Sequence, residues 1–413
     1  MRRLFRNGKI LAEEGVFEYG HVLTEGGLIS AVGEGPFPGS LDGIEVCNLK
    51  GQWLSPGFID SHVHGGGGSD FMDGTVEAVA AAARLHLAHG TTTICPTSLA
   101  CGDEDLFAFF DAFEKARGLM GVSGGRQHPP ELKKNNMPHL HGIHLEGPYF
   151  SPAQAGAQPP EYMRKPFPDH FLKVLERSGG HIVRWSSAPE VEGVLELGDE
   201  CVSRGIMPSI AHTDADYALI RRAMEHGYRH LTHFYSGMSM LRRQNGYRIL
   251  GAVEAGYLLD DLHVELIADG IHLPPELLRL ILKCKDHGHI SLVTDAMRAA
   301  GMPEGPSILG SLKEGHEVIV EGGIARMPDR QSFAGSVATM DRLVRVMTQE
   351  AGLSVREAVQ MASQNPAKLL GIFGKTGSLA PGKAADMVVF DDAIQISRVF
   401  VNGEPFDLSP ENK

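Results

Sequence analysis

From about residue 58 to residue 296 the chain alternates two kinds of segment. Short apolar runs of strand length recur, and most are separated by stretches whose apolar residues return with helical periodicity. The strand-like runs are Phe58–His64, Thr91–Ser98, His139–Gly147, Ile182–Glu190, Met207–Thr213, His230–Ser236, His263–Asp269 and His289–Asp295. Thr75–His89 is an Ala-rich example of the helical stretches, and Gly90 follows it in the position of a C-cap. Eight strands alternating with helices predict an α/β fold, a parallel (β/α)8 barrel of the TIM type. A doubly wound open sheet is the competing arrangement.

The two ends follow another pattern. Val22–Thr24, Leu28–Val32 and Glu45–Leu49 are short β-like runs broken by Gly and Pro, and residues 377–404 repeat that texture. Neither end is long enough for a comfortable β domain of its own, so the two are expected to pair as one small β-sandwich, discontinuous in sequence. The expected organisation is residues 1–55 and 366–413 as the two parts of that domain, with the barrel over 56–365. Gly121–Pro138 is polar and rich in Gly and Pro, and reads as a surface insertion. Residues 299–334 form a second excursion with β-like runs such as Glu317–Val320.

Composition removes several function classes. Apolar residues make up 42%, enough for a large core, and 22% charged residues do not indicate disorder. A net charge of −13 disfavours nucleic acid and anionic membranes as partners. No apolar run reaches membrane-spanning length, and the N-terminal MRRLFRNGKILAEEG lacks the apolar stretch of a signal peptide. Cys47, Cys95, Cys101, Cys201 and Cys284 are odd in number, scattered and without a CxxC, which reads as a reduced, cytoplasmic chain.

Histidine is abundant, 20 in all, and its placement is informative. Chemistry in such a barrel sits at the carboxyl ends of the strands. The first run ends His62-Val63-His64, followed by four glycines. Residues two apart on a strand point to one side, so both imidazoles can reach one metal. The third run ends His144-Leu145-Glu146, the fifth ends at His212, the sixth carries His233, the seventh leads into Asp269 and His272, and the eighth ends at Asp295. Taken singly, an HxH is usually two packed histidines, an Asp after a strand is usually a helix cap, and His144 is most simply a packed neighbour of Glu146. Together, His62, His64, Glu146, His212 and His233 plus the Asp295 carboxylate end five different runs on one face. Imidazole and carboxylate without thiolate suit Zn, Fe, Co or Mn. Such an ion lowers the pKa of water and polarises a carbonyl, and Asp295 is the carboxylate placed to move the proton during amide hydrolysis.

PGFIDSHVHGGGG, HLEGPYFSPAQAGAQ, AHTDA, THFYSGMS, IADGIH, TDAMRAAG and FAGS resemble the amidohydrolase superfamily and, within it, the N-acetylglucosamine-6-phosphate deacetylase family, from about residue 50 onward. The resemblance implies a cytoplasmic, usually homodimeric hydrolase acting on a linear amide, the N-acetyl group of a phosphorylated amino sugar. It implies one or two divalent transition metal ions, Zn2+ foremost, with Fe2+, Co2+ or Mn2+ as alternatives. Glu146, His212 and His233 match the family's metal ligands. His62 and His64 match the pair found where a second ion binds, with Glu146 as bridge. Asp295 matches the acid/base. Ala157 and Gln158 match a substrate-contacting loop in which some members have His at the second position. Asp269 to His272 match a substrate-contacting strand end, and Phe333, Ala334 and Gly335 match a late loop closing over the sugar. Ser236 and Gly237 stand where many members have Asn-Ala beside the phosphate. The segment after them does not align cleanly on the family's Arg pattern, so Arg242, Arg243 and Arg248 are all candidates for the phosphate. In related dimers this region reaches the neighbouring subunit's pocket.

Two other classes compete. An N-acyl amino acid deacylase or cyclic amidase would share the metal and Asp295 without a phosphate site, but cyclic amidases usually bridge their metals with a carboxylated Lys where this chain has Glu146. A non-catalytic barrel scaffold typically loses metal ligands, and this chain keeps the set.

Overall fold

The computed structural model describes residues 1–121 and 137–408. All eight expected runs contain a strand: β1 (Phe58–Val63), β2 (Thr91–Pro96), β3 (Ile143–Glu146), β4 (Ile182–Ser187), β5 (Met207–Ile210), β6 (His230–Leu231), β7 (His263–Leu266) and β8 (Ile290–Leu292). Strands β3 to β8 pair in that order as one parallel sheet, a half-barrel, and β1 pairs in parallel with β2. Strands such as β1, β2 and β3 are buried along their whole length.

The third run is interrupted. His139–Leu140 pairs with β2, and the chain then steps across at Gly142 before β3 pairs with β4. A Cβ at Gly142 would stand 2.3 Å from Val183 Cγ1, so the step needs glycine. The helix Val76–Ala88 forms where expected: Thr75 Oγ1 caps it by accepting from the Ala78 N–H at 3.1 Å, and Gly90 closes it at φ 92°.

The ends do pair. Arg2–Leu11, Val16–Glu25, Leu28–Glu34, Glu45–Asn48 and Trp53–Pro56 join Met387–Phe390, Ile396–Val401 and Glu404–Phe406 in one eight-stranded sheet. The sheet bends around its own small core, which includes Phe5, Ile10, Val22, Leu54, Met387, Val389 and Phe400. Two register irregularities interrupt the pairing of Arg2–Leu11 with Val16–Glu25, and its other edge is shared by Glu45–Asn48 and Trp53–Pro56. Trp53–Pro56 leads straight into β1, tying the sheet to the site.

The excursion after β8 is a three-stranded antiparallel sheet of Gly305–Leu309, His316–Glu321 and Ile324–Arg326. The stretch read as an insertion lies almost wholly outside the described residues. Among the described residues, no helix is long and apolar enough to cross a membrane.

Candidate metal centre

The side chains singled out at the strand ends converge. His62 Nε2 and His64 Nε2 lie 3.3 Å apart, and each faces Asp295 Oδ1, at 3.3 and 3.1 Å. Glu146 Oε1 lies 2.9 Å from His233 Nε2 and 3.3 Å from His212 Nε2, while its Oε2 lies 3.3 Å from His64 Nε2. Two groups of possible metal ligands result, His62–His64–Asp295 and Glu146–His212–His233, and all six residues are buried.

The local backbone is bent to aim them. His212, His233 and Asp295 have φ of 46°, 34° and 47°, a left-handed conformation that costs a non-glycine residue about 1–3 kcal/mol. His212 Nδ1 donates to the Gln154 carbonyl at 2.9 Å and His233 Nδ1 to the Ser236 carbonyl at 3.1 Å, which leaves both Nε2 lone pairs facing inward. Gly237 at φ 56° makes room for this: a Cβ there would lie 2.9 Å from His212 Nδ1.

The electrostatics are those of a cation site. Burial opposes the charged form of His62, but the Asp295 and Glu146 carboxylates outweigh it and lift the imidazole to about 9. His64 is raised by the same two carboxylates against the same opposition. Glu146 and Asp295 are both lowered, since the histidines around them outweigh a burial that would raise them. His212 Nε2 and His233 Nε2, 3.2 Å apart, present lone pairs to one another, an arrangement that a shared cation satisfies. This oxygen and nitrogen set without sulfur fits a divalent transition metal. His144 has a different role. Burial, with Arg184 and His62, holds it well below the ordinary imidazole range, and its Nε2 bonds to Ser186 Oγ at 2.7 Å, so it packs beneath the cluster.

A cavity of about 230 Å3 opens above the cluster. Ala157, Gln158, Ser236, Gly237, His272, Phe333 and Gly335 line it with His64, Glu146, His212, His233 and Asp295. Leu99, Gly156, Leu309 and Ser332 are further wall residues that the sequence reading did not select. Two larger hollows of about 770 and 830 Å3 on the outer surface contain none of the selected residues.

Other selected residues stand elsewhere or act differently. Gln158 has both ends of its amide engaged: Nε2 donates to Glu146 Oε2 at 2.7 Å, and Oε1 accepts from the Ala100 N–H at 2.9 Å. Asp269 does not line the cavity but accepts from His272 Nδ1 at 2.9 Å, leaving His272 Nε2 free. Ala334 is fully buried between two wall residues. Arg242, Arg243 and Arg248 do not line the cavity: they stand exposed on the hairpin Arg242–Gln244/Tyr247–Ile249, where Arg242 pairs with Asp214 at 3.2 Å.

Sequence reasoning also missed what lies under the cluster, where Arg184 and Glu265 form a fully buried ion pair. The available signal was a charged residue inside each of two otherwise buried strand runs.

The profile of the Amidohydrolase family matches residues 53–406. The chain belongs to the amidohydrolase family. Within that family its relatives include the N-acetylglucosamine-6-phosphate deacetylase of Bacillus subtilis, 32% identical with 99% of this chain and 98% of that one covered. The N-acetylgalactosamine-6-phosphate deacetylase of Escherichia coli O157:H7 is 31% identical over 98% of this amidohydrolase and 99% of its own length. Among solved structures, N-acetyl-D-glucosamine-6-phosphate deacetylase of Mycobacterium smegmatis, in a mutant form complexed with N-acetyl-D-glucosamine-6-phosphate, superposes with a TM-score of 0.85 at 31% identity, covering 98% of this chain and 99% of that one. The Thermotoga maritima N-acetylglucosamine-6-phosphate deacetylase gives a TM-score of 0.81 at 28% identity, covering 97% and 99%.

Proposed function

We propose that this amidohydrolase is a metal-dependent deacetylase that hydrolyses N-acetylglucosamine 6-phosphate to glucosamine 6-phosphate and acetate. The observation that carries the reading is the convergence of two ligand groups, one of them including Asp295, on the floor of one cavity in a chain related to such deacetylases over nearly its whole length.

We read the parallel strands as a closed (β/α)8 barrel over residues 56–365. The Asp295 N–H bonds to the His62 carbonyl at 2.9 Å, which links the end of β8 to β1, and the Thr97–His144 bridge links the end of β2 to β3. Residues 1–55 and 366–413 are assigned to the terminal β unit.

His62, His64, Glu146, His212 and His233 are assigned as the residues that hold one or two ions, with Zn2+ the preferred metal and Fe2+, Co2+ or Mn2+ compatible with the same donors. When bound, a divalent ion supplies Lewis acidity to the acetyl carbonyl and lowers the pKa of water. Asp295 takes a proton from the attacking water and returns it to the sugar nitrogen as the C–N bond breaks, so acetate and a free amine leave. His272, held through Nδ1 by Asp269, offers Nε2 to a polar group of the substrate. Phe333 and Gly335 wall the sugar.

The phosphate needs positive charge, and among the described residues no Arg or Lys lines the cavity. We assign it to backbone groups at Ser236 and Gly237 and to an Arg from the exposed hairpin of a second copy, so the active form is a homodimer. Five free cysteines fit a cytoplasmic setting.

The test is acetate release from a panel: N-acetylglucosamine with and without 6-phosphate, the galactosamine and mannosamine epimers, and several N-acetyl amino acids. The 6-phosphate sugar is expected to be turned over far better than the free sugar. Equal turnover of both would move the protein to a broader N-acyl hydrolase class. The galactosamine epimer is a second reading, favoured by the equally similar E. coli relative.

A further inference from the structure

Directly beneath the cluster lies a polar group that the reaction does not use. Arg184 on β4 and Glu265 on β7 are each 0% exposed, and they meet through Nη1 with Oε1 and through Nη2 with Oε2 at 2.9 Å. Every other direction of the guanidinium is also taken. Nε donates to Ser209 Oγ at 3.0 Å, Nη2 to Thr232 Oγ1 at 2.7 Å, and Nη1 to the Ser61 carbonyl at 3.4 Å. Ser61 Oγ donates to Glu265 Oε1 at 3.0 Å. The carboxylate is therefore held from below by Ser61 on β1 and Arg184 on β4, and Arg184 in turn by Ser209 on β5 and by Thr232 just past β6.

Glu265 Oε2 faces the site. It lies 3.5 Å from His62 Nδ1 and 3.4 Å from the His233 N–H, so one oxygen reaches two of the residues assigned to metal binding. His62 Nδ1 is buried and has no closer partner. An imidazole that offers Nε2 to a metal carries its proton on Nδ1, and that proton needs an acceptor. His212 and His233 find theirs in backbone carbonyls. For His62 the acceptor in reach is Glu265.

A staple for the barrel interior has no need of charge. Well-packed apolar residues of similar volume often match or exceed the stability of a buried ion pair, because removing two charges from water is costly. A fixed anion under an imidazole, by contrast, cannot be supplied by an apolar pair.

We propose that the Arg184–Glu265 pair is a positioning device: it sets the tautomer and aim of His62 and steadies the His233 peptide, and so governs how tightly the His62–His64 side of the site holds its metal. The inference rests on the metal-dependent reading above.

The test is Co2+ titration of metal-free protein, followed by visible absorption and by metal analysis after dialysis. Four proteins are compared with wild type: Glu265→Gln, His62→Ala, Glu265→Gln combined with His62→Ala, and Arg184→Met combined with Glu265→Leu. The carboxylate-free variants are expected to weaken the more loosely held ion by about tenfold to a hundredfold, the scale seen for outer partners of metal-bound histidines. The Met/Leu variant is expected to keep the melting temperature of the metal-free protein. In the His62→Ala background, Glu265→Gln is expected to add little further loss, because its effect passes chiefly through His62. Wild-type metal affinity in Glu265→Gln, or a loss fully additive with His62→Ala, overturns the proposal, and both can be read even if the Met/Leu variant fails to fold. Wild-type protein that binds no Co2+ overturns the metal reading itself, a result distinct from either.

Discussion

At the floor of the cavity, six side chains from strand ends are buried and face one another at 2.9–3.6 Å. At its Ser236–Gly237 side the lining holds no Lys or Arg among the described residues, and Arg242, Arg243 and Arg248 stand exposed on a hairpin beyond it. The first region is assembled within one chain because parallel strands deliver their carboxyl ends to one place, and backbone carbonyls then lock the His212 and His233 imidazoles. The second depends on loops, which carry no such common geometry. On the function proposed above, bond chemistry and phosphate recognition fall to different parts of the structure, and they should fail separately.

The sharpest break is at the floor. Glu146→Ala removes the carboxylate shared by His212, His233 and His64 and is expected to lose the tighter ion and essentially all turnover; metal analysis and acetate release check both. His212→Ala should behave alike, and full metal content there would remove His212 from the ligand set. Asp295→Asn keeps the shape but cannot accept the proton. A fall in kcat of about 10²–10⁴-fold with metal retained is expected, and near wild-type kcat would make Asp295 a structural residue.

Effects on the phosphate side should be smaller and selective. Replacing the responsible hairpin Arg by Ala is expected to cost about 2 kcal/mol of binding, seen as a raised KM for the phosphorylated sugar and little change for the free sugar. An equal change for both substrates would remove the hairpin from phosphate recognition. Gly237→Ala, which joins the two regions, should cost about 1–2 kcal/mol of stability from its left-handed backbone, measured by urea unfolding, and should loosen metal through the contact with His212. Unchanged stability and metal content would show that the turn relaxes freely.

The same division explains what the sequence disclosed. His62, His64, Glu146, His212, His233 and Asp295 were legible because each ends or closely follows a strand-like run, where both the period of two and barrel geometry constrain direction. Gln158 lines the cavity as expected and Asp269 stands behind His272, but the hydrogen bonding of neither was legible, because a motif does not say which neighbour takes up a side chain's bonds. One consumes its amide on Glu146 and Ala100, the other its carboxylate on His272. Arg184 and Glu265 escaped because reading strands by their ends overlooks their interiors. The β texture of the ends was visible at Val22–Thr24, Leu28–Val32 and Glu45–Leu49, but the strands Arg2–Leu11 and Trp53–Pro56 were not picked out.

Subunit mixing addresses the separation most directly. One chain carries Asp295→Asn with its arginines intact; the other carries Arg242→Ala, Arg243→Ala and Arg248→Ala with Asp295 intact. Each alone should turn over N-acetylglucosamine 6-phosphate poorly. If the chemistry belongs to one chain and the phosphate contact to its neighbour, mixed dimers, identified by native mass spectrometry, contain one fully wild-type site and regain substantial activity. Mixed dimers that stay as inactive as the parents would contradict a phosphate site shared between two chains.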